Sequence, residues 1–416
     1  MTTHRAPHAA PLDAATSGTR RAGAVLTLVL AGLSMFGPFN VDAPLPAFAR
    51  MGAEFHVEPA AMQQVVSVYL LSFAAMSLFH GPVSDAVGRK PVMTVGIGVY
   101  VLASVGCALA PSLPALLVFR AFQGFAAGAG QIIARAVIRD LFSGPEAQRL
   151  MSQVSMIFGL APAFAPILGG ALLRVGDWRS IFWFLTAFGV VMTICVSGFL
   201  PETLPVEQRS SLALGPIVSA LLAALRSGRF LRIALAASLA FAGQFLFISN
   251  APLFLGGLLG LGENEYWMFF VPMVVCMIAG SWLSARAAGH LSAARQASYG
   301  LLFALASATV GVVIALQPWG SDVPWALVAP ALTAFGVAVA LPVLQLAQLD
   351  EFPQARGTAA SAGTFVNLVF AAALAGVIGP LVATDLVTMA LAAFCCVASG
   401  ALLWAAHVAA RRGVRE

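Results

Sequence analysis

Two ionisable residues lie inside long apolar stretches of this chain, an acid at Asp42 and a base at Arg120. In the centre of a bilayer a charge costs about 2.5–3.5 kcal/mol on insertion scales, so such residues are rare there and are usually functional. Each lies about six residues from the same end of its stretch, which corresponds to a depth of about 9 Å along a helix. The equal depths predict that the carboxylate and the guanidinium meet.

An acid–base pair in apolar surroundings is suited to carrying protons. While Arg120 faces Asp42, the charged carboxylate is stabilised; when the two separate in an apolar site, the carboxyl group is expected to take up a proton. A conformational change would then drive proton uptake and release. A fixed structural ion pair is the alternative.

The stretches that hold these residues are long enough to cross a membrane. The chain has 416 residues, of which 60% are apolar and 9% charged, and its mean hydropathy is +0.91. Soluble proteins carry about 25% charged residues, and a spanning helix needs about 20 mostly apolar residues. No two-residue alternation typical of a barrel wall is present. We therefore predict an all-α integral membrane protein with about twelve spans, near 23–48, 60–80, 91–110, 114–138, 148–173, 178–200, 231–256, 266–286, 293–316, 324–348, 357–383 and 386–408.

The predicted spans form two groups of six. They divide the chain into a tail at 1–22, a first six-helix bundle at 23–200, a linker with an amphipathic helix at 201–230, a second bundle at 231–408 and a tail at 409–416. Such a plan places a substrate site near the midplane between the halves, and rocking of the halves exposes it to each side in turn.

Basic residues predict the orientation of the spans. Counted from a cytoplasmic N-terminus, 18 of the 22 basic residues fall in the tails and the even-numbered gaps, and three, Arg50, Arg174 and Arg179, fall in the odd-numbered gaps. Because basic loops stay on the cytoplasmic side, both termini are predicted to be cytoplasmic, in a bacterial inner membrane. The net charge of +5 then reflects topology and anionic membrane lipids, and nucleic acid is not an expected partner.

The short gap between the second and third spans, GPVSDAVGRKP at 81–91, is also rich in charge. Gly88 is suited to end one helix in a positive-φ conformation, and Pro91 to start the next. Asp85 near a helix C-terminus needs a positive partner, which either Arg89 or the start of the eleventh span after Arg356 would supply. The gap is predicted to be a tight hairpin whose charges latch the outward-open state and release as the halves rock, with a solvated turn as the alternative.

This hairpin resembles the signature loop of major facilitator transporters, G-x-x-x-D-[R/K]-x-G-R-[R/K]. The five matching residues are Gly81, Asp85, Gly88, Arg89 and Lys90, and Ala86 stands where the family usually has a base. The resemblance implies the major facilitator fold, with two six-helix halves, and a gating role for the loop.

RAFQG at 120–124 resembles the R-x-x-Q-G element of the same family, and GLAPAFAPILGG at 159–170 resembles the Gly/Pro motif of exchangers that export substrates against protons. VDAPLP at 41–46 and ARAVIRDLF at 134–142 resemble segments of the Bcr/CflA-type drug exporters. Together they indicate the drug:proton antiporter branch, among multidrug and phenicol exporters. The resemblance implies proton-coupled efflux of lipophilic drugs, with an acid at the position of Asp42 coupling protons. It also implies an antiporter motif at Gly159, Pro162, Pro166, Gly169 and Gly170. From physics alone this motif is either a hinge between the halves or a site of close helix packing.

The first span is predicted to be irregular and to line the central cavity. Pro44 and Pro46 have no amide hydrogen and free the carbonyls of Asn40 and Asp42, and freed carbonyls do not face lipid. Polar and aromatic residues expected in the cavity wall, each with helix packing as the alternative, are Phe36, Asn40, Tyr69, Gln123, Gln131, Gln244, Asn250 and Asn367. A loosely polar wall with bulky apolar groups suits lipophilic substrates of varied shape.

Two other functions are alternatives to drug export. One is transport of a metabolite such as a sugar, amino acid or siderophore in the same fold, and the other is a membrane enzyme that acts on lipid. The six histidines do not converge and no nucleotide-binding motif is present, so neither catalysis nor ATP coupling is expected. The expected partners are a lipophilic drug-like substrate, protons and membrane lipids, for a monomer without cofactor or metal.

Overall fold

A computed structural model describes residues 26–142, 144–209, 214–288, 290–352 and 356–412. The predicted tail at 1–22 and the end of the predicted tail at 409–416 lie outside these residues. The regular elements in the described ranges are helices. The described residues also contain one isolated β-bridge, between Ala288 and Leu291. The predicted all-helical fold class is therefore confirmed.

The first half of the chain begins with a broken helix and continues with long ones. Its helices are α1 (Leu26–Ser34), α2 (Phe36–Asp42), α3 (Phe48–Phe55), α4 (Pro59–Met62), α5 (Gln64–Val87), α6 (Arg89–Ala108), α7 (Leu113–Leu141), α8 (Gly144–Val175) and α9 (Arg179–Phe199). A 3₁₀ turn at Leu45–Ala47 joins α2 to α3. Within this half α5 and α6 pack against α7, α6 packs against α9, and α2 packs against α8.

The second half contains a short helix in the predicted linker and then six apolar segments. Its helices are α10 (Leu214–Arg226), α11 (Gly228–Ser249), α12 (Trp267–Ala287), α13 (Ala293–Ala315), α14 (Trp325–Asp350), α15 (Arg356–Ala373), α16 (Gly379–Val382) and α17 (Leu386–Arg412). Two π-helical segments, Pro252–Leu258 and Leu374–Ile378, interrupt the spans that begin with α11 and α15. The main contacts join α13 to α14, α11 to α17 and α12 to α14.

Small residues let the long helices approach closely. A Cβ placed on Gly300 of α13 would lie 2.8 Å from the Gly336 carbonyl oxygen, and one on Gly336 of α14 would lie 2.7 Å from that of Gly300. The two backbones therefore touch where the helices cross, which is the usual way for helices to pack inside a membrane.

Ten or eleven spans can be identified in the described part of the chain. The described residues contain 10 helices that are long and apolar enough to cross a membrane, or 11 if Leu26–Ser34 and Phe39–Phe55, bent by 41°, count as one. In α8 the described apolar part is the shorter segment Leu160–Val175. The predicted count of twelve thus stays a prediction.

The two ends of the bundle are named here by their residues. The hairpin face is the end where α5 stops and α6 starts at Gly88, and the far face is the end that carries Phe55, Val175 and Trp267. Between the halves, α5 packs against α15 and α8 packs against α12.

Candidate functional site

The first span is broken next to Asp42. The helix α2 ends at Asp42, and a 3₁₀ turn follows at once. The cause is the pair of prolines, because Pro44 and Pro46 offer no N–H to the carbonyls of Asn40 and Asp42 four residues earlier. The Asp42 side chain is nevertheless buried, with 3% of its surface exposed.

Arg120 fills the break from the neighbouring helix. Its Nη2 donates to the Asn40 carbonyl at 2.8 Å, and its Nε donates to the Val65 carbonyl at 3.0 Å. Its Nη1 donates to Gln123 Oε1 at 2.9 Å, and the guanidinium lies over the Tyr69 ring, 4.6 Å from the centroid. One fully buried arginine thus ties the broken span to α5 and α7.

The predicted ion pair between Asp42 and Arg120 is not formed in this structure. The guanidinium donates instead to the carbonyl that Pro44 leaves free, and no salt bridge links these two described residues within 4.0 Å. The Asp42 Oδ1 atom is buried and has no hydrogen-bond partner. Arg120 is held by carbonyl dipoles, the Gln123 side chain and an aromatic ring.

A polar network extends from this arginine into α6. The Gln123 Nε2 donates to Ser104 Oγ at 2.8 Å, and the Asn40 Nδ2 donates to the Tyr100 hydroxyl at 2.9 Å. Asn40 and Gln123, which the sequence placed in the cavity wall, are both fully buried here. In this conformation they hold three helices together, which is the alternative that the sequence left open.

The remaining residues predicted for the cavity wall are mostly buried as well. Buried members are Phe36, Tyr69, Gln131, Gln244 and Asn250, whereas Asn367 on α15 is partly exposed. The Tyr69 hydroxyl and the Gln244 Oε1 have no hydrogen-bond partner. Buried polar atoms without a partner are rare in packed protein, so these two atoms are candidates for contact with substrate or water.

The glycines of the predicted antiporter motif lie at two close contacts of α8. A Cβ on Gly169 would overlap the carbonyl oxygen of Ala43, the residue after Asp42, and one on Gly170 would lie 3.0 Å from the Glu263 carbonyl oxygen. Pro162 and Pro166 lie inside the same helix. The surroundings of Gly159 lie outside the described residues. The motif therefore packs against the break of the first span and against the second half of the chain.

The turn between the second and third spans is shorter than the predicted gap at 81–91, because α5 continues to Val87 and α6 starts at Arg89. Gly88 ends α5 with a φ of +116°, and Pro91 lies in the first turn of α6. Asp85 forms an ion pair with Arg89, one of its two predicted partners. The other predicted partner was the start of the eleventh span after Arg356, and the Arg356 side chain lies outside the described residues. Gly81 has open space around it.

The hairpin is also fixed by acids that the sequence analysis missed. Asp140 on α7 accepts from Arg89 Nε at 3.0 Å and from Thr203 Oγ1 at 3.0 Å. The Glu202 carboxylate accepts from the backbone N–H of Arg89 at 3.0 Å and of Lys90 at 3.2 Å. The N-terminus of a helix binds anions in this way. Asp140 lies in the segment ARAVIRDLF and Glu202 in PETLP, just after the sixth predicted span, but nothing in either segment indicated contact with the hairpin.

Polar contacts join the two halves at the far face. Arg50 holds Glu263 through two contacts, Nε to Oε1 at 3.0 Å and Nη2 to Oε2 at 2.7 Å, and Arg174 Nε donates to Asn264 Oδ1 at 2.7 Å. One layer deeper, Gln64 Nε2 donates to the Gly376 carbonyl at 2.7 Å. The halves are therefore closed against each other at the far face.

In the described part of the chain, no three His, Cys, Asp or Glu side chains are grouped so that they could hold a metal ion.

Comparison with known proteins gives the family. A family model described as Major Facilitator Superfamily matches residues 24–380. The bicyclomycin resistance protein homolog of Haemophilus influenzae is 30% identical over 367 residues, which cover 86% of this chain and 89% of that protein. Multidrug resistance protein D of Escherichia coli (strain K12) is 28% identical over 336 residues, covering 80% of this chain and 83% of that protein.

A solved structure shows the same fold. The crystal structure of a D-xylose-proton symporter superposes with a TM-score of 0.72, covers 91% of this chain and 96% of that one, and is 14% identical in sequence. At this identity the likeness extends to the fold alone.

Proposed function

This chain belongs to the Major Facilitator Superfamily, and on that premise we propose that it exports lipophilic, drug-like molecules in exchange for protons. It is a multi-pass membrane transporter; the bacterial inner membrane, with both termini in the cytoplasm, is part of the proposal. The names of two relatives refer to resistance to bicyclomycin and to several drugs, which favours drug-like substrates over sugars or amino acids.

The buried Asp42 carboxyl group carries the proposal of proton coupling. Its Oδ1 has no hydrogen-bond partner, and the nearby guanidinium of Arg120 is engaged with the Asn40 carbonyl. An ionised carboxylate without a partner in such a place is costly. The neutral, protonated form is therefore favoured in this conformation.

Release of that proton requires a change at the break in the first span. The Gly169 contact places α8 directly against Ala43, so movement of α8 alters the surroundings of the carboxyl group next to it. Water that enters there with the substrate stabilises the ionised form. Substrate binding and proton release are thereby linked.

Closure at the far face determines the side of the membrane to which this proton is released. With the termini in the cytoplasm, the Arg50–Glu263 contact seals the periplasmic side, and alternating access then opens the site toward the cytoplasm. The proton that was taken up from the periplasm is released to the cytoplasm, and the substrate enters the site from the cytoplasm. The drug-loaded carrier reopens at the far face, releases the drug and takes up the next proton.

A resistance assay tests the proposal. Wild type is expressed in a pump-deficient bacterial host, and growth is scored on neutral, cationic and phenicol compounds, beside Asp42→Asn and the matched control Asp385→Asn. Asp385 lies between predicted spans and its carboxylate accepts from Thr388 Oγ1 at 2.6 Å. Resistance from wild type and Asp385→Asn, with loss in Asp42→Asn, is expected. Growth on a nutrient that depends on this chain, without any resistance, would contradict drug export.

A further inference from the structure

One segment singled out in the sequence, ARAVIRDLF at 134–142, has a basic residue that the proposed function leaves unused. This residue, Arg135, lies near the end of the predicted fourth span at 114–138 and is one of the 18 basic residues expected on the cytoplasmic side. In the structure it lies six residues before the end of α7 at Leu141 and inside the apolar segment Leu113–Ile138. Its side chain is exposed.

Two residues earlier in α7, Gly128 and Gln131, show which way the face that carries Arg135 is turned. Gly128, Gln131 and Arg135 follow a spacing of three and four, so they share one face of the helix. A Cβ on Gly128 would lie 2.7 Å from His80 of α5, and the Gln131 side chain lies 3.5 Å from the position of a Cβ on Gly37 in the first span. This face therefore looks between α5 and the first span.

The exposed apolar residues of α7 lie elsewhere. Val118, Phe122 and Phe125 are 54%, 52% and 49% exposed and form a stripe that is turned from Arg135 by about 100° at 3.6 residues per turn. A guanidinium facing hydrocarbon is expensive, whereas this one lies on the face turned toward the bundle interior.

Exposure on an inward face requires an opening. Gln131 is 8% exposed, but Arg135, one turn nearer the hairpin face, is exposed. The helices therefore separate toward the hairpin face and admit water there, in agreement with closure of the halves at the far face. Among the described residues, no carboxylate lies within salt-bridge distance of this guanidinium.

We infer that Arg135 is a substrate-binding residue that accepts an anionic group, such as the carboxylate of a lipophilic acid, from the hairpin face. This inference rests on the proposed function and names its substrate class. A guanidinium binds a carboxylate through two parallel hydrogen bonds, and at this position it repels lipophilic cations. The transporter therefore selects anionic and neutral lipophilic molecules against cationic ones.

Binding to the purified full-length protein in nanodiscs tests the inference. The probes are naproxen, which carries a carboxylate, its uncharged primary amide, and the cation tetraphenylphosphonium. Wild type is expected to bind naproxen more tightly than the amide, and the cation most weakly. Arg135→Gln should weaken naproxen binding about tenfold, as expected for the loss of a charge-assisted hydrogen bond, and leave amide binding unchanged. Arg135→Lys should retain most of the affinity.

A matched control is Arg295→Gln, which removes another exposed arginine, near the start of α13 in the second half. It should change none of the three affinities. Equal naproxen affinity in wild type and Arg135→Gln would overturn the inference, and so would an equal loss for acid and amide. A wild type that binds the amide but not naproxen refutes the inference and leaves export of lipophilic molecules standing. Binding of none of the probes refutes both.

Discussion

The hydrogen bond from Arg120 to the carbonyl that Pro44 leaves free can be tested by a double-mutant cycle. Arg120→Met removes the donors to the Asn40 and Val65 carbonyls. Both acceptors are buried, and an unsatisfied buried group costs about 1–3 kcal/mol. The variant should therefore unfold with a free energy lower by about 2–6 kcal/mol, measured by denaturant titration in mixed micelles.

The second perturbation supplies a replacement donor. Pro44→Ala provides an N–H four residues after Asn40, which can take over that carbonyl. Pro44→Ala should therefore raise the free energy of unfolding more, or lower it less, in the Arg120→Met background than in wild type. The difference between the two effects, which is the coupling energy, should be about 1–2 kcal/mol. The matched control is Pro46→Ala, whose new N–H reaches the Asp42 carbonyl, which Arg120 does not contact. That substitution should be additive with Arg120→Met.

Two results would refute this reasoning. One is a coupling energy between Arg120→Met and Pro44→Ala within about 0.5 kcal/mol of zero, the usual limit for independent sites. The other is an equal coupling for Pro46→Ala, because the effect would then come from removing any proline in this segment.

Three further predictions concern the hairpin, the antiporter motif and the far face. Gly88→Ala should destabilise the protein by about 1–3 kcal/mol, because φ is +116° and the Glu202 carboxylate lies 2.6 Å from the position of the new Cβ. The control Gly81→Ala, in open space, should lower the free energy of unfolding by less than about 0.5 kcal/mol. Equal destabilisation by the two substitutions would contradict this. Gly169→Ala should lower both stability and drug efflux, since its Cβ overlaps a backbone carbonyl of the first span. Stability and efflux equal to those of wild type would contradict this. Glu263→Gln removes a partly exposed ion pair worth at most about 1 kcal/mol, so spin-label distances across the far face should show a several-fold larger open population, and an unchanged distribution would exclude a gating role.

Local chemistry made parts of the site predictable from sequence. The positive φ of Gly88 follows from a glycine between two helices with almost no linker, and the ion pair between Asp85 and Arg89 follows from a spacing of four residues. The freed carbonyl of Asn40 follows from Pro44 alone. In each case the deciding atoms lie within one helical turn, so neighbouring residues determine the geometry.

Partners distant in the chain were missed. Glu202 binds backbone N–H groups 112 and 113 residues earlier in the chain, and Asp140 reaches Arg89 across 51 residues. Depth arguments do not determine rotation about the helix axis or which acceptor is bonded. Arg120 donates to the Asn40 carbonyl, an acceptor that the depth argument did not consider.

Helix ends were a further source of error. The predicted fourth span ends at residue 138, whereas α7 continues to Leu141 because its backbone hydrogen bonds continue. Arg135 lies inside that predicted span, yet the count of basic residues grouped it with the following gap. The fold itself was predictable because long apolar segments have few alternatives in a membrane.

Substrate-dependent proton movement in inside-out membrane vesicles tests the central claim most directly. The vesicle interior is acidified by respiration, a neutral phenicol is added outside, and the pH gradient is followed with a fluorescent dye. Wild type should discharge the gradient when the drug is added. Asp42→Asn should leave the gradient intact while the purified variant still binds the drug, since only the carboxyl group that carries the proton has changed. Discharge by Asp42→Asn at the wild-type rate would contradict the account.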